Sequence, residues 1–118
     1  MIIDDSEAEH FLAEDEIHNY NDAIEVISAY DGQEALKTLN SMDDQPCVIL
    51  IDINMPGMNG FEFLEQYSQK DNKSEIVIMM SSSVLPQDMN TLTNYDFVTS
   101  YCVKPFKMEN ILKHISSC

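Results

Sequence analysis

The stretch from Cys47 to Gly60, CVILIDINMPGMNG, constrains the fold more than any other part of the chain. Its opening run, Cys47 to Ile51, is short, continuous and rich in branched side chains, the pattern of a strand covered on both faces by helices. The run ends on one carboxylate, Asp52, and leads into a turn holding Pro56, Gly57, Asn59 and Gly60. The end of a buried strand is a place where a charged group can leave the core.

The remaining segments alternate around this strand. Met1 to Ile3 reads as the last residues of a short buried strand, followed by the acidic pair Asp4 and Asp5. Ser6 offers a helix cap, and Glu7 and Glu9 stand in the first turn, where acids favour the helix dipole. The helix is expected to run to about Asn19 with Ala8, Phe11 and Leu12 on one face, although Asp15 and Glu16 fall where another apolar pair belongs. Ile24 to Ala29 reads as a second strand, ended by Asp31 and Gly32, and Gln33 to about Ser41 as a helix with Ala35, Leu36 and Leu39 at helical spacing.

Beyond the Pro56 to Gly60 turn, Phe61, Leu64 and Tyr67 mark a third helix, and Ile76 to Met80 a fourth buried strand followed by Ser81, Ser82 and Ser83. Pro86 opens a short helix with Met89 and Leu92 inward. A fifth strand ends at Val103 and runs into Lys104, Pro105 and Phe106. A last helix carries Met108, Ile111, Leu112 and Ile115 at the i, i+3, i+4, i+7 positions.

Strands alternating with helices imply a parallel sheet with right-handed crossovers and helices on both faces, a doubly wound α/β domain. In such a sheet, sites form beyond the carboxyl ends of the strands, where strand order reverses. Asp4, Asp5, Asp52, Ser81 and Lys104 all occupy strand ends. The 118 residues are expected to form one domain, 1–118, and the apolar fraction of 44% is enough to bury a core.

Against 21 acids there are only 6 bases, a formal net charge of −15, which disfavours direct binding to nucleic acid because phosphates are held by lysine and arginine. No apolar run approaches the length that spans a bilayer, so membrane insertion is not expected. Cys47, Cys102 and Cys118 suggest no disulfide framework, and a cytoplasmic location is the expectation. His10, His18 and His114 share no metal-ligand spacing and read as solvated helix residues.

Three carboxylates at neighbouring strand ends repel one another unless a cation sits between them. Oxygen-only ligands favour a hard ion, and a few carboxylates with a backbone carbonyl and waters is how magnesium is usually held. With such an ion in place one carboxylate can act as nucleophile toward a phosphoryl group, giving an aspartyl phosphate. Asp52 is the candidate, with Asp4 and Asp5 as ligands, directly or through water. The Ser81 hydroxyl can donate to a phosphate oxygen, and Lys104 can neutralise another.

These residues together resemble the receiver domains of two-component response regulators. The likeness spans essentially the whole chain and rests on Asp4 and Asp5, LIDINMPGMNG around Asp52, the hydroxyl residue Ser81, and YCVKPF with Tyr101, Lys104 and Pro105. It implies a flavodoxin-like five-stranded sheet of order 2-1-3-4-5. It implies that Asp52 accepts a phosphoryl group from the phosphohistidine of a sensor kinase or phosphotransfer protein. Magnesium would be held by Asp5, Asp52 and the carbonyl of Asn54, with Asp4 assisting through water.

The resemblance further implies that Ser81 and Tyr101 couple phosphorylation to a protein-interaction face contacting an unknown downstream target, and that the Lys104–Pro105 bond is cis. Serine at Ser81 departs from the commoner threonine, and Asn54 and Ser83 stand where the family tunes loss of phosphate. The expectation is a stand-alone phosphoacceptor rather than an enzyme, a piece of a longer regulator being the alternative. Rival readings are an aspartate-nucleophile phosphatase, which usually carries a second acid where Asn54 stands, a flavin-binding module, and an unphosphorylated protein adaptor.

Overall fold

The computed structural model describes residues 1–52, 60–71, 73–80, 94–103, 106–112 and 115. Strands β1 (Ile2–Ile3), β2 (Ser28–Ala29), β3 (Val48–Asp52), β4 (Glu75–Met80) and β5 (Val98–Val103) pair in parallel in the order β2-β1-β3-β4-β5. This is the doubly wound sheet expected from the alternating pattern. Strand order reverses between β1 and β3, and the register there sets Ile3 beside Ile51, so Asp4 and Asp52 follow on adjacent strands.

Two apolar clusters lie against the sheet. One joins Ile3, Ile49 and Ile51 to Ala35 and Leu39 of α2 (Gly32–Ser41) and to Phe63, Leu64 and Tyr67 of α3 (Gly60–Tyr67). The other joins Ile2, Val48 and Leu50 to Ala13 and Ile17 of α1 (Glu7–Tyr20) and to Phe106, Met108 and Ile111. Alternate residues of β1 and β3 thus enter opposite clusters, which explains why Val48 to Ile51 are apolar at every position. All five residues of β3, Asp52 included, are buried.

The inner face of α1 differs from the expected one. Ala8, Phe11 and Leu12 are exposed, and the buried residues are His10, Ala13 and Ile17. The inward acids have partners that apolar periodicity does not reveal: Glu14 accepts from the Ser28 hydroxyl at 3.1 Å, and Glu16 accepts from the backbone N–H of Met108 at 3.1 Å. Ser6 caps α1 as expected, its Oγ accepting from the N–H of Glu9, and Asp31 caps α2 by accepting from the N–H of Glu34 at 2.7 Å. At the other end of α2, the Gln45 amide donates to the carbonyls of Leu39 and Met42.

Strand β2 is shorter than expected; Ile24 and Val26 pack against the sheet as partly buried residues outside it. The last helix begins with a 3-10 turn, Met108–Asn110, and continues with a helical hydrogen bond from the N–H of Ile115 to Ile111 at 3.1 Å. Met108 and Ile111 are buried, and Leu112 and Ile115 pack beside them. Cys102 is a buried thiol outside any disulfide. Cys47, expected within the strand, lies just before it, is exposed, and is disulfide-bonded to a partner outside the described residues, against the expectation of no disulfide. The short helix opened by Pro86 also falls outside the described residues.

The amino terminus sits within the sheet. The Met1 nitrogen donates to the carbonyl of Val48 at 3.0 Å, in register with the bond from Leu50 N–H to the Met1 carbonyl at 2.9 Å. Burial lowers its pKa from the ordinary 8.0 to about 5, because a charged amine loses its hydration there.

Candidate functional site

Asp4 leaves β1 at the point where ladder pairing ends. Its N–H still donates to the Ala29 carbonyl at 3.1 Å, its Oδ1 accepts from the N–H of Ser6 at 2.9 Å, and its carbonyl accepts from His10 Nε2 at 2.8 Å. Main chain and side chain are therefore held together, with the carboxylate buried. Asp52 is likewise buried at the end of β3, whereas Asp5 is exposed.

One carboxylate oxygen from each of Asp4, Asp5 and Asp52 lies within 4.8 Å of the others. Two strand ends and one turn converge on this point, and the adjoining cavity, lined by Asp4, Asp52, Ala13 and Phe106 among others, has a volume of about 20 Å³. That is room for about one water. The donor set is all oxygen and bears several formal negative charges, which fits a hard divalent cation with coordination positions left over for water or phosphate. A larger apolar groove of about 410 Å³, lined by Met1, Ile17, Ile24, Val26 and Ile115 among others, lies toward the amino ends of the strands, away from the carboxylates.

Of the residues singled out from the sequence, Asp4, Asp5 and Asp52 are brought together. Tyr101 is half-buried in β5, its Cα paired with Ile78, and it packs against the cluster that holds α2 and α3. Asn54, Ser81, Ser83 and Lys104, and with them the Lys104–Pro105 bond, lie outside the described residues.

The reading of His10 as solvated is corrected: it is 3% exposed, bonded to Asp4, with its ring centroid 4.4 Å from that of Tyr30. The signal that could have found it is its place one helical turn past the Ser6 cap, at helical spacing from Ala13 and Ile17. His18 is exposed as expected, with Nε2 on the Ile24 carbonyl at 3.1 Å.

The family model of the response regulator receiver domain matches residues 1–116. The chain belongs to this family. Receiver domains of this kind act in two-component phosphorelay signalling. The receiver is 34% identical over 85 residues to the nitrate/nitrite response regulator protein NarL of Escherichia coli, a match covering 72% of this chain and 38% of that protein. It is 33% identical over 94 residues to the regulatory protein VanRB of Enterococcus faecalis, covering 79% of this chain and 40% of that protein. The chain thus spans about two fifths of the length of these relatives.

Among solved structures, the receiver resembles a two-component response regulator from Cytophaga hutchinsonii, with a TM-score of 0.85, 30% identity, and coverage of 98% of this chain and 92% of that one. The chemotaxis response regulator CheY4 of Vibrio cholerae gives a TM-score of 0.77 at 27% identity, covering 98% and 93%. Among the described residues no helix is long and apolar enough to cross a membrane.

Proposed function

We propose that residues 1–118 form one receiver unit in which Asp52 is the phosphoacceptor and Asp4, Asp5 and Asp52 hold a magnesium ion, with the Asn54 carbonyl as a further ligand. The observation that carries this is the meeting of three carboxylates, two buried and one exposed, at the reversal point of the sheet. An ion there offsets the mutual repulsion of the acids and the charge on an incoming phosphoryl group. An Asp52 carboxylate oxygen forms the new O–P bond while the P–N bond of a phosphohistidine breaks and the imidazole departs.

Ser81 and Lys104 are assigned to the phosphate oxygens, and Ser81 with Tyr101 to the switch that changes a protein-interaction face. The donor is a sensor histidine kinase or phosphotransfer protein, and the output is a contact with a downstream protein in the cytoplasm. The domain turns over no external substrate, only its own aspartyl phosphate. A phosphatase reading has less support, because no acid stands two residues after Asp52 to protonate a leaving group.

The test is incubation with acetyl phosphate and magnesium followed by intact-mass measurement. One phosphoryl group is expected on the wild type and none on Asp52→Asn. An unlabelled wild type, under conditions that label another receiver, overturns the assignment.

A further inference from the structure

The peptide group joining Asp4 to Asp5 connects two of the three carboxylates and lies between the end of β1 at Ile3 and the start of α1 at Glu7. His10 supplies a donor to its oxygen. Its Nε2 lies 2.8 Å from that oxygen, its backbone N–H bonds the Ser6 carbonyl at 3.2 Å, and its ring rests at a 40° tilt on Tyr30, next to the end of β2. Since a carbonyl only accepts, Nε2 carries the proton. Nδ1 is buried without a hydrogen-bond partner among the described residues, as befits a ring held by the other nitrogen.

Buried polar side chains are usually kept where every polar atom is satisfied. One that leaves an atom unpaired in order to bond a single backbone oxygen points to the worth of that bond. The oxygen belongs to the one peptide plane whose rotation would swing the exposed Asp5 carboxylate relative to the buried Asp4 carboxylate. We infer that His10 is a positioning residue of the acidic site: by fixing the Asp4–Asp5 peptide it presets the carboxylates for a divalent cation. This rests on the reading of the three acids as the metal site.

Outer partners of metal ligands change affinity by about tenfold or more when removed. The experiment is calorimetric titration of the whole protein with magnesium and with manganese, for wild type, His10→Phe and His10→Gln. Phenylalanine keeps the ring on Tyr30 and removes the donor; glutamine offers an amide N–H in its place. Expected is about a tenfold loss of affinity in His10→Phe, partial recovery in His10→Gln, and far-UV circular dichroism unchanged in both.

Wild-type nitrogen NMR of the imidazole gives a check that does not depend on how any variant folds. The expected signature is a proton on Nε2 that is protected from exchange. An unprotonated or freely exchanging Nε2 overturns the inference, as does a His10→Phe that binds as tightly as wild type. Wild type that binds neither ion overturns the metal-site reading itself and the role of His10 with it.

Discussion

Glu16, on the penultimate turn of α1, accepts a hydrogen bond at 3.1 Å from the backbone N–H of Met108, 92 residues later in the chain. The 3-10 turn Met108–Asn110 has no side-chain cap of its own from Lys107, so a distant carboxylate serves. Removing it leaves a backbone donor unpaired next to Ile111 and Ala13. Glu16→Ala is expected to lower stability by about 1–2 kcal/mol, the usual effect of losing a charge-assisted cap. Urea unfolding of the two proteins at pH 7 measures it, and equal midpoints would contradict the role given to Glu16.

Tyr67 is fully buried, stacks on Phe63 with centroids 5.3 Å apart and meets Phe97 edge-on at 5.7 Å. Its hydroxyl oxygen accepts from the N–H of Ser74 at 2.7 Å, tying the end of α3 to the start of β4. Tyr67→Phe preserves the rings and orphans that N–H, an expected cost of about 1–3 kcal/mol. Amide hydrogen exchange at Ser74 should accelerate in the variant; unchanged protection would show the bond to be dispensable.

The Met1 amine makes stability depend on pH. With a pKa of 8.0 in the unfolded chain and about 5 in the fold, the unfolded state holds more protons between these values, so stability rises with pH across that window. Below it both states are protonated and the full penalty, on the order of 4 kcal/mol, is present; above it both are neutral and none remains. Denaturant midpoints at steps between pH 5 and 8, compared with a protein acetylated at the Met1 nitrogen, isolate the contribution. Parallel pH profiles for the two proteins would show that the amine is solvated.

On the proposed metal reading, three carboxylates within 4.8 Å make a divalent ion a stabiliser of the fold. Magnesium at about a hundred times its dissociation constant should raise stability by about 2.7 kcal/mol, through binding only the folded state. Asp5→Asn and Asp52→Asn should each lose most of that gain and be more stable than wild type without metal, since like charges are relieved. Thermal melts with and without magnesium test both signs.

Much of the architecture was legible because its causes are local. A fully apolar five-residue run, helical spacing in Ala35 and Leu39, the cap at Ser6, and Asp4, Asp5 and Asp52 at strand ends are all properties of neighbouring residues. Strand order followed through the resemblance those residues carry. The face of α1 was misjudged, since Phe11 and Leu12 look apolar enough to turn inward yet are 68% and 52% exposed.

What chain order alone determined was therefore the alternation of elements, the charge balance and the acids at the strand ends. Tertiary structure alone decided that Glu14 and Glu16 could face inward, that His10 would be buried on the Asp4 carbonyl, and that the Met1 nitrogen would join the ladder beside Val48. The reason is physical. Whether a polar group can be buried depends on a partner being within about 3 Å, and these partners come from other elements, as far apart in the chain as Glu16 and Met108.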